Sequence, residues 1–269
     1  MPDDRYTDQI KPNMDRRPMH IDTAIALVRT RLLPRWPHAT AAIIGGSIAR
    51  GEATPTSDID LLLLFEKVDR AWRDTLKVDG QTVELFGHDP ATFDYFCRRI
   101  DAPNGTIPLA MMVIDGVAVL PPNLTFDALG KYARQLYAAG PPAWDAATLA
   151  ARRYAITTLV EDLQDSERSD ETLAIAVKLY DTLATFALRA GGHWTGTGKH
   201  LARRLKTATP DLAAALEEGM GRLAADPGMA KAVLIEAARR ALAPHGGWLL
   251  EGFHAPAPAA WRSDKAPFA

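Results

Sequence analysis

The chain has 269 residues, 47% hydrophobic and 24% charged, an ordinary globular balance with enough apolar material for two cores. Its formal net charge of −2 excludes a global basic field of the kind that holds duplex DNA, while a small anionic substrate at a local site stays open. The single cysteine, Cys97, excludes an intramolecular disulfide and a cysteine zinc cluster. The first residues hold no apolar signal-peptide segment, and the longest apolar run, IDLLLLF at 59–65, is strand-sized. A soluble cytoplasmic protein without a membrane partner is therefore expected.

Residues 1–18 read as a loose polar arm. Asp22 is placed to cap a first helix with Ile25, Leu27, Val28 and Leu32 on its apolar side, ended by Pro34. Residues 39–44 (ATAAII) predict a short buried strand that runs straight into Gly45-Gly46. Ser47 then offers a hydroxyl suited to cap a short helix. Thr54-Pro55-Thr56-Ser57 is loop chemistry. Residues 58–65 (DIDLLLLF) predict a second strand, apolar on both faces after its first residues and so central in a sheet. Asp79-Gly80 is a type I′ hairpin signal between strands at 74–78 and 81–87. Asp89-Pro90 opens a helix to about Arg99, and a helical piece follows through Leu109 and Met112. A short strand at 117–120 comes next, and Pro121-Pro122 break the chain.

Beyond that point no strand pattern remains. Helices are predicted near 125–139, 145–167, 170–190, 197–207, 211–224 and 228–243. In the second of these, Ile156, Leu159, Val160 and Leu163 recur at helical spacing. The third is apolar on most sides, with Leu173, Val177, Tyr180, Leu183 and Phe186, and is expected in the middle of a bundle. The expected architecture is an α/β (α+β) domain with a mixed sheet at 19–122, then an all-α helical bundle at 123–245 and a Gly/Pro/Ala-rich tail at 246–269.

The chemistry concentrates between residues 45 and 60. Glycines let a backbone approach a bulky ligand, and the first amides of a following helix have no internal partners. Gly45-Gly46-Ser47 therefore suits phosphate oxygens, although such a turn is as often only a turn. Asp58 and Asp60, two apart on a strand, point to one side and repel. A divalent cation removes that repulsion, and two carboxylates completed by water and phosphate oxygens are what Mg²⁺ prefers. Glu84 alternates with Val83 and Leu85 on the later strand and could join the pair, either as a third metal ligand or as the base for an acceptor hydroxyl. Its other reading is a solvent-facing strand residue.

The run GGSIARGEATPTSDIDLLLLF at 45–65 resembles the signature of the polymerase-beta-like nucleotidyltransferase superfamily: a Gly-Ser turn, a glycine a few residues on (Gly51), then Ser-Asp-x-Asp on the next strand. The resemblance implies that Gly46 and Ser47 hold a triphosphate and that Asp58 and Asp60 bind one or two magnesium ions. Thr-Val-Glu-Leu at 82–85 is similar to the segment that carries a third acid in antibiotic adenylyltransferases of the kanamycin and streptomycin type, which assigns that role to Glu84. The helical half is similar to theirs in layout alone. The resemblance implies transfer of a nucleoside monophosphate, AMP from ATP foremost, to a hydroxyl acceptor with release of pyrophosphate. An aminoglycoside-like antibiotic and a protein hydroxyl are both candidate acceptors, and a homodimer fits the kanamycin-type pattern. A non-catalytic nucleotide binder that keeps the fold is the alternative, and the neutral charge argues against a nucleic-acid polymerase.

Other residues carry weaker signals. Arg50 either contacts phosphate or braces the turn. Lys199, at a helix start after a Gly-rich loop, could reach the triphosphate. Glu161, Asp162 and Asp165 crowd one helix side, as an acceptor site for a cation or as a plain wet face. His88, His193, Trp36, Trp72 and Trp144 read as packing or surface residues, and Cys97 as inert.

Overall fold

The computed structural model describes residues 17–262. Most of the expected arm at 1–18 and the end of the expected tail lie outside the described residues. The chain divides into two compact units after Gly140.

The first unit is built on a mixed sheet of five strands in the order β3-β4-β2-β1-β5. These are β1 Ala41–Ile44, β2 Ile59–Leu64, β3 Trp72–Val78, β4 Gln81–His88 and β5 Val117–Ala118. β2 and β4 run parallel, and every other pair is antiparallel. β2 is central, as its apolar run predicts: Ile59 and Leu61 to Leu64 are all buried. β3 and β4 form the predicted hairpin, with Asp79 at φ 49° and Gly80 at φ 78°, the positive pair that a type I′ turn requires. Along β4, half-buried Thr82, Glu84 and Phe86 alternate with buried Val83 and Leu85.

One sheet face packs Ile59, Leu61, Leu63, Val83 and Leu85 against Ala24, Val28 and Leu32. Those last three come from α1, Ile21–Leu27, and the π-helical turn Val28–Leu32 that extends it. The expected cap at Asp22 is corrected: His20 caps α1, its ring Nδ1 accepting from the Asp22 amide at 3.4 Å. The first turn keeps Asp22, where a negative charge suits the helix dipole. Past the short α2, Gly46–Ala49, the unit continues with α3 Pro90–Tyr95, α4 Pro108–Ile114 and α5 Leu124–Ala139. Asp89 starts α3 with a capping box, accepting from the Thr92 amide at 2.7 Å while the Thr92 hydroxyl accepts from the Asp89 amide at 2.9 Å. α5 packs on α4 and belongs to this first unit by its contacts.

The second unit holds α6 Ala146–Asp165, α7 Ser169–Ala190, α8 Lys199–Ala208, α9 Pro210–Arg222 and α10 Pro227–Leu242. Asp145 and Asp226 cap α6 and α10 by accepting from the amides of Thr148 (2.7 Å) and Met229 (3.0 Å). Their apolar faces meet in one core that includes Ile156, Leu163, Leu183, Phe186 and Leu234. α7 is less central than its composition predicts. Ala176, Leu179, Leu183 and Phe186, at spacings of three and four, face the core, while Leu173 and Val177, one turn apart, stand 53% and 52% exposed. Among the described residues no helix is long and apolar enough to cross a membrane.

Candidate active site

β1 delivers the chain into the Gly-Gly-Ser turn beside the leading end of β2. The Gly45 amide donates to the Asp60 carbonyl at 2.8 Å, which ties the turn to that strand end. Gly45 also lets α4 come close: a Cβ there would stand 2.9 Å from Met112 Cβ. Gly46 sits at φ +67°, and a Cβ on it would lie 1.8 Å from Asp60 Oδ2. The Asp60 carboxylate therefore rests directly against the turn, in space that only glycine leaves open.

The role expected of Ser47 as a helix cap is corrected. Gly45 occupies the cap position of α2 without a side-chain bond, and the Ser47 hydroxyl donates to Ser57 Oγ at 3.0 Å. Ser57 Oγ in turn accepts from the Thr54 amide at 2.8 Å. α2 is only four residues long, so its dipole is small, and any anion affinity of the turn comes from its local amides and hydroxyl.

Asp58 immediately precedes β2 and Asp60 is the second residue of that strand. Glu84 lies beside Asp60 in the parallel β2–β4 register, so the two point to the same face. Burial raises the Asp58 carboxyl above the ordinary carboxylate range, with repulsion from Glu84 adding to it and a hydrogen bond from the Thr82 hydroxyl opposing it. Burial also raises Asp60, followed by repulsion from Glu84 and then from Asp58, while Arg50 and Arg73 pull the other way. The three acids thus share one electrostatic neighbourhood. They do not converge on one point: among the described residues no three His, Cys, Asp or Glu side chains are grouped to hold a metal ion. Glu84 Oε2 accepts from the Arg73 guanidinium at 2.8 Å. Beyond burial and Glu84, Asp58 raises the carboxyl of Asp60 by repulsion, and a divalent cation with substrate and water oxygens would relieve such a pair.

Arg50 pairs with Glu52 at 3.1 Å and with Asp115 at 3.8 Å. Lys199 is the exposed first residue of α8, in the second unit. Asp162 and Asp165 line a shallow depression of that unit with Glu171, Ala174 and Ile175. His88 is buried edge-on against Phe93 and Phe96, and burial lowers its pKa, so it packs as a neutral ring. Trp36 stacks on Trp72 at 5.8 Å and Trp144 packs on Phe186. The buried Cys97 thiol is pushed up to about 12, by burial first and by Asp101 next, which keeps it unreactive.

Several residues that shape the site were not singled out in the sequence. Gln81, buried, donates from Nε2 to the Ser57 carbonyl at 2.7 Å and so steadies the approach to Asp58. Thr82 contacts Asp58. Arg73 lies diagonally from Glu84 across the hairpin, a neighbourhood that the Asp79-Gly80 register implies.

Residues 25–100, the span from α1 through β4 to the helical turn after α3, match the family model described as the nucleotidyltransferase domain. That span contains the turn and all three acids, and it points to nucleotide transfer. Among solved structures, the chain is similar to a nucleotidyltransferase-like protein from Exiguobacterium sibiricum, with 12% identity, 82% of this chain and 75% of that chain covered, and a TM-score of 0.37. No curated protein matches the chain.

Proposed function

We propose that the chain transfers a nucleoside monophosphate, AMP from ATP, to a hydroxyl acceptor and releases pyrophosphate. The observation that carries this reading is the contact between Gly46 and the Asp60 carboxylate, which sets one of the two aspartates against a backbone turn suited to phosphate. A pure binder of nucleotide gains nothing from two mutually repelling, half-buried carboxylates, whereas a metal-assisted transferase needs them.

In this reading Gly46 and Ser47 cradle the triphosphate, with Arg50 beside the turn. Asp58 and Asp60 hold Mg²⁺, with Glu84 as third ligand or as base for the acceptor hydroxyl. When bound, the ion neutralises phosphate charge and makes the attacking hydroxyl more acidic. The protein's own contribution is positioning and charge complementarity. The acceptor is a hydroxyl compound, with an aminoglycoside-like molecule and a protein side chain as the two candidates.

The test is thermal unfolding of wild type and Asp60→Asn, with ATP, with and without Mg²⁺, alongside pyrophosphate release over a panel of acceptors. ATP with Mg²⁺ should stabilise the wild type and leave Asp60→Asn unmoved. Turnover should fall on the order of a thousandfold in the variant, since a metal supplies several kcal/mol of transition-state stabilisation. In EDTA the variant should be the more stable of the two. The folded pKa of Asp60 is raised, so its contribution to stability is lost as pH climbs past the ordinary carboxylate range, and neutralisation removes that loss. Equal ATP·Mg²⁺ stabilisation in both proteins would sink the assignment.

A further inference from the structure

Arg73 stands on β3, the edge strand, and its guanidinium is set by two contacts. It lies 2.8 Å from Glu84 Oε2 and 5.1 Å from the centroid of the Phe86 ring. Both partners follow from the hairpin register: Arg73 opposes Phe86, and Thr75 opposes Glu84, so Arg73 and Glu84 share a face on the diagonal. The Arg73 side chain is 61% exposed, whereas Glu84 is 24% exposed. The arginine thus reaches over from solvent, stacked on a ring that limits its freedom, toward an acid that faces Asp60 in the adjoining strand.

That acid has two possible counter-charges. A guanidinium held on the β3 side draws the carboxylate along the sheet toward the edge. A divalent cation held by Asp58 and Asp60 would draw it toward β2. Glu84 Oε2 serves the arginine in this structure, and among the described residues the three neighbouring acids are not grouped as metal ligands. Resting on the metal-site reading above, we propose that Arg73 is a positioning residue that competes with the divalent cation for Glu84, so that metal entry and release of the Arg73–Glu84 pair are one coupled event. The arginine serves as the resident counter-charge of Glu84 while the cation is absent. It moves aside to solvent at little cost, because an exposed arginine pair is weak. The third acid is thereby withheld until the ion is in place, and the apo site is spared an unpaired carboxylate at the edge of the core.

The test uses the full chain and Mn²⁺ as the probe, with its binding measured by calorimetry without nucleotide. The proteins are wild type, Arg73→Gln, Glu84→Gln and the double variant. Arg73 lies on an exposed edge strand, so its replacement should leave the fold intact; thermal unfolding in EDTA verifies this. Arg73→Gln should bind Mn²⁺ about three- to tenfold more tightly than wild type, the range an exposed ion pair can withhold. In the Glu84→Gln background the same replacement should change affinity by less than about twofold, because the arginine acts through that carboxylate. Equal tightening in both backgrounds would mean simple long-range repulsion of the ion and overturns the proposal, as does unchanged or weaker binding by Arg73→Gln. Absence of Mn²⁺ binding by wild type and every variant overturns the metal-site reading as well, so the two failures are distinguishable.

Discussion

In the second unit the hydrophobic core is mostly leucine and alanine, from Ile156 on α6 to Leu242 on α10, with Thr157, Thr172, Arg189 and Thr195 as the buried polar residues of that unit. The first unit instead leaves three partly buried carboxylates at the start of β2 and midway along β4, directly beside a sheet core of Ile59, Leu61 and Val83. Packing alone explains that leucine and alanine core. It cannot explain the carboxylates, where burial and mutual repulsion hold Asp58 and Asp60 above the usual carboxylate range. In the proposed reading, the unfavourable charge next to that core serves the chemistry at a cost in stability.

The contrast can be broken by substitution. Phe186 is fully buried between Trp144 and His245, so Phe186→Ala should cost about 3–5 kcal/mol of stability by urea unfolding. Gly46→Ala should cost less stability, roughly 2 kcal/mol for the positive φ and the displaced acid, yet should reduce pyrophosphate release far more than its stability loss explains. If Gly46→Ala keeps full activity, the Asp60 contact with the turn has no catalytic meaning.

Two smaller effects sharpen the comparison within the first unit. Asp101 keeps Oδ2 buried without a hydrogen-bond partner, and burial pushes its carboxyl up to about 6. The folded state therefore holds this proton more tightly than the unfolded chain does, and the associated stability is lost as pH rises from the ordinary 3.8 to about 6. Asp101→Asn should be more stable than wild type above that window by on the order of 1 kcal/mol, after allowance for solvent screening. The difference should vanish toward pH 3.5, and a constant difference across pH would refute the assignment. Cys97 should show no labelling by a thiol reagent in the native protein at pH 8 and complete labelling in denaturant. Rapid native labelling would show that its helix opens locally.

The parts of the molecule legible in the sequence are those where one period or one turn chemistry dominates. The run from Leu61 to Leu64 predicts a central strand, and β2 is central. Asp79-Gly80 predicts the hairpin and its register. The alternation around Glu84 predicts only that it faces away from Val83 and Leu85, as it does on β4. What escaped depends on partners far along the chain. The Ser47 hydroxyl prefers Ser57 over its own helix, a choice set by how the 54–57 loop folds back. Leu173 and Val177 are as apolar as Leu183, and only the arrangement of the neighbouring helices decides which side of α7 is covered. The Arg73–Glu84 pair was within reach, since the hairpin register puts the two on one diagonal, but charge on an exposed edge strand reads as solubility until its partner is known.

At the opening of the second unit, Arg189 near the end of α7 is 5% exposed, donates to the Pro142 carbonyl at 2.8 Å and stacks on Trp144 at 5.1 Å. This cation has no carboxylate beside it among the described residues, and the carbonyl and the indole stand in for one. The segment from Pro142 to Trp144 is thus an integral wall of the bundle rather than a tether in front of it. Anyone cutting the chain to obtain the helical part alone should place the cut before Pro142. A fragment that starts later would strand a buried guanidinium with neither acceptor nor ring.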